Sequence, residues 1–313
     1  MKNKPLLILM VGLSGSGKST KAKELAEKYN AKIVSSDEIR YEFFGTEYNR
    51  ANNTKVFNIL HKRVRHLLGG GLNVIVDATN LTMKSRRQFM TYDAIRVAYI
   101  MRTPFTECWQ RDIKRGKSGS VGMDVVISQR KSFQVPFYQE GFNYILMSDS
   151  DVVCQNEHIY IDLLDMMKGF DQNNPHHKYD LYNHSVRCDH EIDKADGTLI
   201  DCLVGDFHDI GKLFTQETNT ETGISTYYSH HNVGAYYLLS NDDFVSYTTE
   251  TFSKATLLYI ITMVNYHMLP FQWKEEKTKE KYKKIFGDYL YDNLTRFNKC
   301  DIIASGSEEE SRL

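Results

Sequence analysis

Eight residues near the N-terminus, Gly12, Leu13, Ser14, Gly15, Ser16, Gly17, Lys18 and Ser19, have the types and spacing to hold a nucleoside triphosphate. The pattern G-x-x-x-x-G-K-S lets backbone N–H groups wrap a β-phosphate at a helix N-terminus. Lys18 then serves the β/γ oxygens, and Ser19, with Thr20 beside it, serves the Mg²⁺ that travels with ATP. The context agrees: the apolar run from Leu6 to Val11 reads as a strand, and Lys18 to Tyr29, with Ala22, Leu25 and Ala26 at helical spacing, as the helix that follows. The loop closes in Gly17-Lys18-Ser19 and lacks the third glycine of a dinucleotide fingerprint, which disfavours NAD.

Transfer of a phosphoryl group requires a carboxylate to take or orient a proton, and positive charge beyond the γ-phosphate. Asp37 and Asp77 each follow a short apolar run, so both are placed at strand ends; the bland alternative for either is a helix N-cap or turn. Arg40 lies one helical turn after Asp37 and could hold an acceptor's phosphate. Arg111 and Arg115, spaced i, i+4 after Pro104, project from one helical face. The segment 116–122 (GKSGSVG) then reads as the hinge of an arginine-bearing lid, the alternative being an exposed basic helix.

A second set of chemistry-bearing residues lies further along: His184, the adjacent His208 and Asp209, and Asp301, with His230, His231 and His267 between them. These are ligands that Mg²⁺, Mn²⁺, Ni²⁺, Co²⁺ or Zn²⁺ would suit. A lone histidine is more often structural, and His231, His176 and His177 stay ambiguous.

The elements that must carry these groups divide the chain. Short apolar strands at Leu6–Val11, Lys32–Ser35, Leu72–Val76, Arg96–Met101 and Tyr144–Met147 alternate with helical stretches, predicting a parallel α/β sheet with helices on both faces. A short helix is expected from Asp162 to Phe170. The polar run 171–175, ending in Pro175, reads as a boundary. Beyond it, Leu199–Leu213, Gly234–Leu239 and Phe252–Met268 have helical periodicity and the part reads as all-α. The expected domains are thus residues 1–170 and 171–305, with 306–313 a solvated, disordered tail.

Charge and composition fit this division. Residues 1–150 hold 24 Lys and Arg against 13 Asp and Glu, and the rest 15 against 27, so the halves carry about +11 and −12. A basic first half suits a polyanionic ligand, or merely solvates a surface. No apolar run nears the roughly 20 residues a membrane span needs, and no membrane partner is expected. Five scattered cysteines without a C-x-x-C pair point to a reducing cytoplasm, bacterial or that of a phage's host.

Gly12 to Thr20, residues 36–40 (SDEIR), residues 77–80 (DATN) and residues 111–116 (RDIKRG) stand in the order and spacing of the phage-type polynucleotide 5′-kinases, which the first 150 residues resemble. The resemblance implies Asp37 as general base, Arg40 on the acceptor's phosphate, Asp77, Thr79 and Asn80 around the acceptor, and Arg115, with Arg111, on the donor phosphates. Residues 182–185 (YNHS), 208–212 (HDIGK), 230–235 (HHNVGA), 264–270 (VNYHMLP) and 299–304 (KCDIIA) resemble the HD phosphohydrolases. That resemblance implies one metal held by His184, His208, Asp209 and Asp301. His230 and His267 would complete a second metal or contact substrate, with Lys212 facing a phosphate oxygen. The two modules occur together in the HD-domain polynucleotide kinases, there with the HD module first.

The combined expectation is an RNA (or DNA) end-healing enzyme: an ATP-dependent 5′-hydroxyl kinase joined to a metal-dependent 2′,3′-cyclic phosphodiesterase or phosphatase, with an RNA ligase acting downstream and a homo-oligomer left open. Two alternatives stand beside it. One is a small-molecule or nucleoside kinase fused to an HD nucleotidase, the other a nucleotide-sensing regulator without turnover, which would need neither Asp37 nor a complete ligand set.

Overall fold

A computed structural model describes residues 4–45, 52–116, 119–148, 163–175, 178–241 and 253–306. His176, His177, Cys154, residues 117 and 118 of the expected hinge, and the expected tail from Ser307 onward lie outside the described residues. The chain divides into two compact units, Met1–Asp151 and Val152–Leu313.

In the first unit five short, apolar segments become the parallel strands β1 (Leu6–Val11), β2 (Ala31–Ser35), β3 (Asn73–Asp77), β4 (Ile95–Ile100) and β5 (Tyr144–Met147), in the order β2-β3-β1-β4-β5. The crossovers are α1 (Lys18–Tyr29), α2 (Ser36–Phe44), α3 (Asn53–Gly69), the short α4 (Met83–Arg87), α5 (Phe105–Lys114) and α6 (Met123–Lys131). Ala22 and Leu25 of α1 bury against Ile8, Met10, Ile75 and Val97, which closes one face of the sheet. Near-continuous apolar strands are what a sheet covered on both faces demands. The registers Ser35↔Asp77 and Leu9↔Val76 bring the C-terminal ends of β2, β3 and β1 together. That is the edge at which open α/β sheets bind ligands.

A buried ion pair fixes the turn after β3. Arg86, fully buried, donates through Nε and Nη2 to Glu140 at 2.9 and 2.6 Å, and through Nη1 to the carbonyls of Asn80 and Gln134. A bidentate pair with its remaining donors satisfied is the arrangement that tolerates burial.

The second unit is mostly helical: α7 (Leu181–Lys194), α8 (Leu199–Phe207), α9 (His230–Ser240), α10 (Lys254–Tyr266) and α11 (Glu276–Ser305), the last kinked at Gly287, whose φ is 72°. A two-strand hairpin, β6 (Glu217–Thr218) with β7 (Ser225–Thr226), interrupts the helices of a part whose sequence reads as all-α. Two further differences bear on the site. The helix expected from Leu199 to Leu213 stops at Phe207; His208 and Asp209 turn the chain into a 3₁₀ turn at Ile210–Phe214. Gly211 packs there against α9 so closely that an added Cβ would meet the His230 carbonyl at 1.9 Å. The boundary expected at residue 171 falls inside this unit: the Phe170 carbonyl accepts from Leu181 N–H, and the Asn173 carbonyl from Ser225 N–H. Residues 163–165 are helical and 166–169 form a turn where a helix to Phe170 was expected.

Among the described residues no helix is long and apolar enough to cross a membrane. Cys108, Cys188, Cys202 and Cys300 are free thiols.

Candidate functional sites

The turn between β1 and α1 is held open by its glycines. Gly15 and Gly17 have φ of 81° and 82°, the left-handed region that side chains avoid, and a Cβ on Gly15 would lie 2.1 Å from the Cys108 carbonyl. Gly12 N–H donates to the Thr79 carbonyl at 3.1 Å, which ties the loop to the end of β3. Lys18 is buried at the mouth, and its ammonium donates to the Leu13 carbonyl at 2.6 Å. Burial lowers its pKa, against the opposing pull of Asp77.

The cleft over this loop is lined by Ser14, Lys18, Ser19, Asp37, Arg40, Asp77, Thr79 and Arg115 among others. Ser35 caps α2 by accepting from Glu38 N–H, so α2 starts at the sheet edge and Asp37 sits in its first turn. The Asp37 carboxylate is 79% exposed, and one of its oxygens accepts from Arg40 at 3.0 Å. Arg40 is buried and also donates to Asn53 at 2.8 Å. A carboxylate open to the cleft, with a guanidinium held beside it, can take a proton from one part of an acceptor while the cation grips another.

Three expected residues sit differently. Asn80, at φ 45°, is buried, and its amide donates to the carbonyls of Met10 and Ala78, so it clamps the turn and does not face the acceptor side of the cleft. Arg111 pairs with Glu107 on its own helix and reaches the neighbourhood of Gly17 in the glycine loop, while Arg115, the C-cap of α5, lines the cleft. Thr20 is exposed on α1. No local pattern marks Gln129, whose side chain accepts from Ser14 N–H at 2.8 Å and donates to Ser14 Oγ at 3.0 Å. Asn53 and Phe57, likewise without a local pattern, line the cleft from α3.

In the second unit five helices deliver six ligand-type side chains to one buried point. His184 comes from the first turn of α7, His208 and Asp209 from the end of α8, His230 from the start of α9, His267 from the end of α10 and Asp301 from α11. They fall into two groups, His184, His208 and Asp301, and Asp209, His230 and His267, each with its ligand atoms within 4.8 Å of one another. Asp209 faces both: its Oδ2 lies 3.4 and 3.3 Å from Nε2 of His184 and His208, and its Oδ1 lies 3.1 and 3.7 Å from Nε2 of His230 and His267. Asp301 Oδ1 is 3.1 and 3.4 Å from His184 and His208.

The donor chemistry fits divalent cations. Nδ1 of His208, His230 and His267 lies 2.7–2.9 Å from the carbonyls of Gly205, Tyr227 and Val264. Each carbonyl accepts an N–H there, which leaves Nε2 as a lone pair turned toward the carboxylates. Two Nε2 atoms then oppose each other at 3.2 Å in each group, a spacing that asks for positive charge between them. Burial disfavours charge on His208, yet the Asp209 and Asp301 carboxylates overcome it and push its pKa up to about 10, so a proton takes its Nε2 lone pair wherever a cation does not. The carboxyls of Asp209 and Asp301 are themselves held well below the usual range, the cost of burial being outweighed by Lys212 and His208 for the first and by His208 for the second. Lys212 donates to Asp209 Oδ2 at 2.6 Å and to Gln172 Oε1 at 2.7 Å. Gln172 belongs to the polar run that reads as a linker in the sequence; its carbonyl accepts from Tyr227 Oη, so the run is part of this site. Burial, with His230 and His267 close by, lowers the pKa of His231 to about 3, so it packs beside the cluster as a neutral ring.

A family of AAA domains matches residues 7–137, from β1 to beyond α6. No curated protein matches the chain. Among solved structures, a chain of the Pnkp1/Rnl/Hen1 RNA repair complex is similar at 26% identity over 41% of this chain and 44% of that one, with a TM-score of 0.37. An APS kinase CysC of Mycobacterium tuberculosis in complex with AMPPNP and APS is similar at 21% identity over 52% and 99%, TM-score 0.37. A shikimate kinase of Acinetobacter baumannii in complex with shikimate is similar at 17% identity over 54% and 97%, TM-score 0.35. The match therefore spans less than half of the repair-complex chain. The parallel sheet, the glycine loop and the family match make the first unit a P-loop domain.

Proposed function

We propose that this chain heals broken RNA ends with two sites: an ATP-dependent 5′-hydroxyl kinase in the first unit and a metal-dependent 2′,3′-cyclic phosphodiesterase or phosphatase in the second. The observation that carries the reading is the pairing, in one chain, of the Lys18, Asp37 and Arg40 cleft with a buried His–Asp cluster that has an ammonium at its edge. A strand cut to leave a 5′-hydroxyl and a 2′,3′-cyclic phosphate presents one substrate to each, and sealing then falls to a ligase. The resemblance to polynucleotide kinases and HD phosphohydrolases supports the same assignment.

In the kinase cleft the loop amides and Lys18 cradle the β- and γ-phosphates, Lys18 exchanging the Leu13 carbonyl for phosphate oxygen. Ser19 would hold the Mg²⁺ that accompanies ATP. Arg40, braced by Asn53, holds the phosphate on the far side of the terminal nucleoside, and Asp37 takes the proton of the 5′-hydroxyl. The new bond joins that oxygen to the γ-phosphorus, the bond to the β–γ bridging oxygen breaks, and ADP leaves. Arg115 neutralises charge on the transferring group.

In the second unit His184, His208, Asp209 and Asp301 would hold one divalent cation, and His230 and His267 with the other oxygen of Asp209 a second. Bound there, such cations lower the pKa of a coordinated water and polarise a phosphoryl oxygen. The chain's own residues do the rest: Lys212 faces a phosphate oxygen, and Gln172 sets where that ammonium sits.

The test is to incubate the protein with γ-labelled ATP, Mg²⁺, Mn²⁺ and a 5′-hydroxyl oligoribonucleotide ending in a 2′,3′-cyclic phosphate, and then to analyse both ends. Label at the 5′ end and loss of the cyclic phosphate are expected. An unlabelled oligomer would refute the kinase assignment, and an intact cyclic phosphate the second.

A further inference from the structure

The P-loop cleft is polar on nearly every side, and Phe57 is the one aromatic side chain among the residues that line it. It stands on α3 one helical turn from Asn53, so both project toward the same side, and Asn53 is the acceptor that holds Arg40 at 2.8 Å. Its α3 neighbours Val56 and Leu60 are fully buried and supply the helix's packing against the sheet, whereas Phe57 is only half-buried. Among the described residues its ring meets no other aromatic ring and no cation. A large apolar face that neither packs in the core nor stacks on a neighbour, turned into a polar cleft, marks a place for a flat apolar ligand.

The neighbouring groups say what that ligand is. With a 5′-hydroxyl at Asp37 and the next phosphate at Arg40, the part of the acceptor between them is a nucleoside. Its base projects to one side of the sugar–phosphate line, and α3 forms the wall beside Arg40. We propose that Phe57 is the platform on which the terminal base of the acceptor stacks, and that it selects acceptors whose end carries a base. This deepens the kinase reading and rests on it.

The test compares two 5′-hydroxyl oligoribonucleotides of identical body, one ending in a normal purine nucleotide and the other in an abasic residue, using the full chain and its Phe57→Ala, Phe57→Leu and Phe57→Trp variants. For the purine end, Phe57→Ala and Phe57→Leu should raise KM about 5- to 150-fold, the range of one base–aromatic stack, with kcat changed far less. Phe57→Trp should restore it. For the abasic end the unsubstituted protein should already show the high KM, and no variant should move it further. Equal losses on both acceptors would overturn the proposal by showing a role in folding alone; so would unchanged KM values on the purine end. If the unsubstituted protein phosphorylates neither oligomer, the kinase reading falls and this inference with it, an outcome distinct from the other two.

Discussion

Gly211→Ala should disable the second site without touching the first, and the size of the effect follows from the packing. A Cβ on Gly211 would lie 1.9 Å from the His230 carbonyl oxygen and 2.7 Å from Gly234 N. Both contacts are backbone atoms of α9 that cannot swing aside. Ordinary contact needs about 3.5 Å, so the 3₁₀ turn and α9 must part by about 1.5 Å. Asp209, two residues earlier, now has Oδ1 3.1 Å from Nε2 of His230 at the start of that helix. The same displacement takes that pair out of reach of a shared cation, whereas none of His184, His208 and Asp301 lies on α9 or in the 3₁₀ turn, so that group keeps its ligands. Misplacement by about 1 Å costs on the order of 100-fold in rate, and overpacking about 1–3 kcal/mol in stability. The assay is Mn²⁺ stoichiometry and hydrolysis of a 2′,3′-cyclic phosphate, with 5′ phosphorylation of the same oligomer as the internal control. The expected result is a drop of about one bound ion per chain, hydrolysis reduced about 100-fold and phosphorylation unchanged. Full metal content and full hydrolysis in a folded Gly211→Ala protein would refute the argument that this close approach sets the position of Asp209.

Three further outcomes follow from the same structure. Glu140→Gln strips the charge from the partner of fully buried Arg86 and should destabilise the first unit by about 3–5 kcal/mol, roughly a 10 °C loss in melting temperature by calorimetry. Asp201 is buried, which raises its pKa, but hydrogen bonds from Tyr259 and Thr198 and the nearby Arg296 outweigh this and hold it below its ordinary value. Its folded pKa being depressed, its contribution is present above the unfolded value of about 3.9 and is lost as pH falls through the folded one. Urea midpoints of the unsubstituted and Asp201→Asn proteins should therefore differ at pH 7 and converge as pH falls below about 3.9. Gln172→Ala leaves Lys212 with one acceptor fewer and should slow cyclic-phosphate hydrolysis about tenfold, read as steady-state kinetics with 5′ phosphorylation unaltered.

What the sequence reveals and what it hides follow a common physical line. The P-loop is legible because its chemistry is local: eight consecutive residues carry the turn, the cation and the hydroxyl, and the strand and helix around them show their own periodicity. The five strands are legible because a sheet buried on both faces must be apolar throughout. The His and Asp residues of the second unit stand out by type, although only the fold brings residues as far apart as His184 and Asp301 to 3.1 Å. Gln129 and Gln172 were not legible, because each acts across a long loop closure, 115 residues to Ser14 and 40 to Lys212, and a glutamine carries no local signature of that. The run holding Gln172 looked like a linker since it is polar and ends in proline, yet those polar groups bind the hairpin and the lysine. Asn80 misled for the opposite reason: an amide beside a strand-end aspartate can face a ligand or clamp a turn, and its positive φ, invisible in sequence, decides for the clamp. Apolar periodicity continues through Ile210 and Leu213 and so predicts a longer helix than the one that stops at Phe207; Asp209, at φ −100° and ψ 3°, leaves helical geometry and opens the 3₁₀ turn.

The central claim is that two separate sites in one chain act on the two ends of a broken strand. Its most direct test uses one oligoribonucleotide, 5′-hydroxyl at one end and 2′,3′-cyclic phosphate at the other, with γ-labelled ATP, Mg²⁺ and Mn²⁺, treated in parallel with the unsubstituted, Asp37→Ala and Asp209→Ala proteins. The account predicts that Asp37→Ala abolishes 5′ labelling and spares opening of the cyclic ester, that Asp209→Ala does the reverse, and that a mixture of the two variants heals both ends. Loss of both reactions in either folded variant, or labelling that survives Asp37→Ala, would contradict it.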